Sequence, residues 1–90
     1  MGLKIMKFSA VWCPPCRVLQ PIWDQLVDDI HGVEFVAVDI DKEPKLASQY
    51  SVSAVPTILF LRDGAVVDSM IGLHKEADIR NKIDGLVKKG

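Results

Sequence analysis

The two cysteines of this 90-residue chain, Cys13 and Cys16, lie within Trp12-Cys13-Pro14-Pro15-Cys16-Arg17. That stretch marks the point where a β-like run gives way to a helix-like one. Two prolines are tolerated between the thiols there, because the first turn of a helix has no intrahelical partners for its N–H groups. The same placement sets the Cys13 sulfur over a helix N-terminus, where free N–H groups and the helix dipole favour a negative charge. The thiolate is the form of cysteine that attacks disulfides. Cys16, one turn further in, is close enough to attack any disulfide that Cys13 forms with a partner. The pair reads as a two-electron redox site.

Other uses of such a pair fit less well. A permanent disulfide over so short a loop constrains the unfolded chain little. Tetrahedral zinc wants four ligands, and the remaining candidates of the usual kind are His31 and His74, which lack the paired spacing of a zinc finger. Pro14-Pro15 also stiffens the loop that would have to wrap an ion. No metal and no cofactor are expected, and neither histidine is given a role. Trp12, beside a reactive thiol, is expected to be a partly exposed cover on the partner-facing surface, and Trp23 a core residue.

The elements that must hold this site follow from periodicity. Residues 3–10 read as a buried strand interrupted by Lys4 and Lys7. Over residues 14–30, Leu19, Ile22, Trp23, Leu26 and Ile30 form one stripe of an amphipathic helix, with Pro21 inside it and His31-Gly32 as its stop. Residues 33–40 are rich in β-branched and aromatic types and read as a second strand, parallel to the first through a right-handed crossover. Pro44 suits the first turn of a helix over residues 44–50. Residues 57–61 form a third strand, and Asp63-Gly64 is a strong hairpin signal leading to an antiparallel fourth at 66–71. Ile79, Ile83, Leu86 and Val87 line a last helix over residues 75–88, which Gly85 weakens by about 1 kcal/mol relative to Ala.

Through Trp12-Cys13-Pro14-Pro15-Cys16, Val55-Pro56-Thr57, Asp63-Gly64 and Gly72, the sequence resembles the thioredoxin family from about Leu3 to Lys88. The resemblance implies a thioredoxin fold: a single α/β domain over residues 1–90, with a four-stranded mixed sheet and three helices in the order βαβ-α-ββα. It lacks the N-terminal strand and helix of full-length thioredoxins. The implied strand order is 33–40, 3–10, 57–61, 66–71. The first and last helices would cover one face and the helix at 44–50 the other, thinly. The implied activity is reduction of protein disulfides through a reversible Cys13–Cys16 disulfide, with a separate reductase to restore the dithiol. A glutaredoxin-like or tryparedoxin-like oxidoreductase, or a binding module with idle thiols, remain alternatives. Against the first, Ile71-Gly72-Leu73-His74 lacks the Gly-Gly-x-x-Asp-like stretch with which glutaredoxins hold glutathione.

The resemblance also implies a cis Pro56 facing Cys13, which leaves the Val55 N–H and C=O for a partner's extended chain. Gly72 and Leu73 would complete an apolar ring with Trp12, Pro14 and Val55, on which short segments dock by main-chain bonds. Arg17 occupies a position that is basic in the family, with a modest effect on the thiolate. Two positions depart from the pattern. Lys7 stands where thioredoxins commonly bury an aspartate, and Ala37 where they often have a lysine. Lys7 is expected to point toward the Cys16 sulfur and stabilise its thiolate, the alternative being a side chain that snorkels to the surface. Asp39, with the strand parity of Ala37, is placed to pair with Lys7.

Bulk composition sets the frame. A 49% apolar, 26% charged chain with net charge −1 has the profile of a globular domain, without general attraction to nucleic acid or anionic membrane. The first residues show no signal-peptide or myristoylation pattern, and no apolar run approaches a membrane span. The expectation is a cytoplasmic monomer.

Overall fold

The computed structural model describes residues 2–89. In chain order the elements are β1 (Leu3–Ser9), α1 (Pro14–Asp29), β2 (Glu34–Asp39), α2 (Pro44–Gln49), β3 (Thr57–Arg62), β4 (Ala65–Ile71) and α3 (Glu76–Lys89). Their types and order are those read from the sequence, and no boundary moves by more than one residue. Helix α1 begins with Pro14 and Pro15 in its first turn and continues through Pro21. It stops where the Ile30 N–H closes on the Leu26 carbonyl, followed by Gly32 at a φ of 84°. Asp63 and Gly64 both have positive φ, 53° and 82°. That is the backbone of a two-residue turn whose twist suits a hairpin, and it joins β3 to β4.

The strands form one sheet in the order β2-β1-β3-β4. β1 pairs in parallel with β2 and antiparallel with β3, and β3 pairs antiparallel with β4. The parallel step is what a helical crossover permits, since antiparallel neighbours can be joined by a tight turn and parallel ones cannot.

Both faces of the central strands are covered. On one, Leu3, Ile5, Ile58 and Phe60 pack against Leu19, Trp23 and Leu26 of α1 and Ile79, Ile83 and Leu86 of α3. Trp23 meets Phe35 edge-on with ring centroids 5.3 Å apart. Truncating a buried aromatic of this kind costs about 3–5 kcal/mol, so Trp23 is a main tie holding α1 to the sheet. On the other face, Met6, Phe8, Val38, Leu59 and Leu61 lie under Ala47, with Leu46, Tyr50 and Val52 packed alongside. Helix α2 has 6 residues against 16 for α1 and 14 for α3, so this second cover is thin, as the sequence suggested. Lys7 is the exception in β1. It falls on the α1 face in phase with Leu3 and Ile5, and it is buried.

Candidate active site

The site is built at the end of β1, where the chain turns into α1. Cys13 is the N-cap of α1, in extended conformation (φ −95°, ψ 112°), and its sulfur accepts the Cys16 N–H at 3.3 Å. A cap side chain normally satisfies one of several orphan donors in the first turn. Here Pro14 and Pro15 have no N–H to offer, so the Cys16 amide is the first helix donor and it points at sulfur. The next amide, of Arg17, bonds the Cys13 carbonyl at 3.2 Å. The several free N–H groups expected over Cys13 thus reduce to one, aimed by geometry. Both thiols are free and nearly buried, Cys13 at 3% and Cys16 at 4% exposure.

Trp12 stands over them at 59% exposure, with its indole N–H on the Asp41 carboxylate at 2.8 Å. Sequence reasoning missed Asp41. Only the parallel pairing of β1 with β2 brings residues 12 and 41 to the same end of the sheet. The Val55–Pro56 bond is cis. The Val55 carbonyl faces Cys13 and accepts its S–H at 3.7 Å, while the Val55 N–H has no hydrogen-bond partner among the described residues. Gly72, at a φ of 86°, donates its N–H to the Pro56 carbonyl at 2.8 Å, which ties the end of β4 to the same loop. Pro14 and Leu73 are exposed. Val55 packs on the small cluster of Ala10, Cys13 and Cys16.

Arg17 is exposed, and Lys7 is buried rather than snorkelled to the surface. Arg17 donates through Nε to the Val11 carbonyl at 3.1 Å, bracing the turn that carries Trp12 and Cys13. Lys7 does not snorkel: at 2% exposure it lies beneath α1, with its ammonium on Gln20 Oε1 at 2.6 Å and 5.3 Å from the Trp23 ring centroid. The pairing with Asp39 does not form. Lys7 is opposite Ala37 in register and Asp39 is opposite Ser9, and an Asp39 oxygen accepts the Asp41 N–H instead. The Gln20 amide is the second residue that sequence reasoning missed. Its spacing of four from Cys16 on α1 is the signal that could have marked it.

Burial pushes the Cys16 thiol above its ordinary value, and the hydrogen bond with Cys13 and the charge of that residue push it further. The Ala10 backbone and Lys7 pull the other way. Lys7 itself is lowered, chiefly by burial, against the opposing pull of Asp24 and Cys16. Beside Cys16 a cleft of about 220 Å³ opens to solvent, its walls including Val11, Arg17, Gln20 and Asp39.

The family model described as thioredoxin matches residues 2–85. The chain belongs to the thioredoxin family. It is 39% identical over 79 residues to an H-type thioredoxin of Oryza sativa, covering 88% of this chain and 64% of that protein. It is 40% identical over 81 residues to a thioredoxin of Chlorobaculum thiosulfatiphilum, covering 89% of this chain and 75% of that one. Among solved structures, thioredoxin of Fasciola hepatica superposes with a TM-score of 0.86 at 40% identity, over 92% of this chain and 79% of that chain. The chain therefore spans a little under two thirds of the rice thioredoxin and more of the bacterial and fluke ones. The fold is the thioredoxin fold, a four-stranded mixed sheet with three helices. No helix among the described residues is long and apolar enough to cross a membrane.

Proposed function

We propose that this chain is a thiol–disulfide oxidoreductase that reduces protein disulfides with the Cys13–Cys16 dithiol. The observation that carries the reading is the Cys16 amide on the Cys13 sulfur at the start of α1. That hydrogen bond and the helix dipole both favour negative charge on Cys13, which makes it the attacking thiolate. Cys16 is raised by burial and by Cys13, so it stays protonated while Cys13 attacks.

Cys13 thiolate attacks one sulfur of a partner disulfide, and the partner's other sulfur leaves as thiolate and takes up a proton. Cys16 then loses its proton and attacks the Cys13 sulfur of the mixed disulfide. The second partner sulfur leaves, and Cys13–Cys16 is left oxidised. The partner gains two electrons and the dithiol supplies them, so a separate reductase of the thioredoxin-reductase kind must restore it. A reducing compartment such as the cytoplasm suits this cycle, with the chain acting as a monomer. The Val55 N–H without a partner supports docking of an extended segment beside Cys13, against Trp12, Pro14, Pro56, Gly72 and Leu73.

The test is insulin reduction with a thioredoxin reductase or with glutathione as electron source. Turnover with the reductase and little with glutathione is expected; the reverse supports a glutaredoxin-like protein. Cys13→Ser should abolish activity and Cys16→Ser should accumulate mixed disulfides. Full cellular function of the double serine variant would instead mark a binding module.

A further inference from the structure

One buried charge takes no part in this cycle. Lys7 lies under the active-site helix at 2% exposure, and the ways it is held all fix its position. Its ammonium donates to Gln20 Oε1 at 2.6 Å. The Gln20 amide cannot readily turn over, because its Nε2 donates to Asp24 Oδ1 at 2.9 Å. The Trp23 ring lies 5.3 Å away on the same helix, an arrangement that attracts a cation to the ring. Gln20 is four residues after Cys16, so the two side chains are neighbours on α1, with Cβ atoms about 5–6 Å apart. An ammonium held on Gln20 therefore lies on the face of α1 that carries Cys16, and its charge pulls the Cys16 thiol down.

We propose that Lys7, clamped by Gln20 beneath α1, is the counter-cation of the Cys16 thiolate during its attack on the mixed disulfide, and that the Cys16 proton leaves to water in the adjoining cleft. This rests on the reading of Cys16 as the second nucleophile and adds a positioning residue to it. An ammonium has no lone pair and takes no proton, so the proton needs another exit. The 220 Å³ cleft that has Cys16, Arg17, Gln20 and Asp39 in its walls provides one. The Cys16 S–H bond breaks with its electrons left on sulfur, the proton passes to water, and the thiolate then displaces the partner sulfur from Cys13.

Among the charged groups around it, Asp24 bears on the ammonium ahead of Cys16. Asp24, on α1, is one amide away through Gln20 and does not contact it directly. Arg17 and Asp39 face the same cleft, with an Asp39 oxygen engaged by the Asp41 N–H. In register, Lys7 is flanked by the uncharged Ala37 of β2 and Ile58 of β3. The α3 residues packed against this face, Ile79, Ile83 and Leu86, are apolar.

The experiment mixes reduced protein with an aryl disulfide that releases a coloured thiolate and follows colour by stopped flow across pH. The first burst reports attack by Cys13, the second its displacement by Cys16. Lys7→Met should slow the second burst about ten- to a hundredfold at neutral pH, moving its profile up by about one to two pH units, with a smaller change in the first. Gln20→Leu, at an exposed position, should slow the second burst severalfold by releasing the ammonium. Superimposable second-burst profiles for the wild type and Lys7→Met overturn the proposal. Should Lys7→Met fail to fold, the same result with Gln20→Leu overturns it. A second burst that survives in Cys16→Ser would instead overturn the underlying reading of Cys16.

Discussion

Burial and the Cys13 sulfur both hold the proton on Cys16, and the reaction itself switches off the second of these. As long as Cys13 is free, its charge and its hydrogen bond raise the Cys16 thiol. Once Cys13 is bonded to a partner sulfur it carries no charge, so that influence lapses when Cys16 is needed as a nucleophile. Cys13→Ala should therefore leave Cys16 titrating at lower pH than the second thiol of the wild type, read from thiolate absorbance or from alkylation rate against pH. An unchanged titration would mean that burial alone raises Cys16. A second residue-scale prediction concerns the Trp12–Asp41 hydrogen bond of 2.8 Å. Asp41→Asn weakens a charge-assisted bond to a neutral one, a loss of about 1 kcal/mol. The expected result is a rise in KM for a protein disulfide of about two- to fivefold with kcat little changed, together with altered indole fluorescence. Asp41 was not legible in the sequence, and Gln20 had only its spacing of four from Cys16 as a signal. Each matters because of a contact 29 or 13 residues away in sequence, and spacing along the chain does not carry such contacts. The cysteines were legible because their partner is a helix terminus three residues away.

The elements were the most readable part, because each is marked by local chemistry that the tertiary structure does not contradict. Pro14-Pro15 opens α1, Asp63-Gly64 turns β3 into β4, and the stripe of Leu19, Trp23 and Leu26 is the buried face of α1. Lys7 was harder to place, since a lysine inside a strand is equally consistent with a solvent-facing position. Only the docking of α1 over β1 decides it. Local chemistry also governs the stability of α3. Gly85 lies in the interior of that helix, and a Cβ built there meets nothing within 4 Å. Gly85→Ala should thus add about 1 kcal/mol of stability by helix propensity and reduced unfolded-state entropy. For a domain of this size that is a rise in Tm of about 4–8 °C. Gly64→Ala should do the opposite, because its φ of 82° is one that an L side chain adopts only with strain. Equal Tm values for the two variants would contradict this account of both glycines.

At the scale of the whole molecule, a 34 × 25 × 18 Å body with one thinly covered sheet face keeps a lysine in its better-packed half. That choice sets stability against function. The hydrogen bond to Gln20 and the Trp23 ring together return about 2–3 kcal/mol to the ammonium, while taking an ion out of water costs several kcal/mol. Methionine has nearly the same length and no charge, and it would fill the slot between β1 and Trp23 with apolar contacts. Lys7→Met should accordingly be more stable than the wild type by about 1–2 kcal/mol at neutral pH. The sign of its pH dependence follows from the lowered titration of Lys7. Below that lowered value, lysine is protonated in both the folded and unfolded chains, and the folded chain carries the full cost of the buried ion. As pH rises through the lowered value toward the ordinary 10.5, the folded chain sheds the proton first and the cost falls. The advantage of Lys7→Met should therefore be greatest at the acidic end of the range and shrink as the pH climbs toward 10.5. Urea unfolding of both proteins across this range measures it. A variant less stable than wild type at pH 7 would show that Lys7 holds the fold together. A more stable one with a slowed second burst would show a cation retained at the expense of stability for the sake of Cys16.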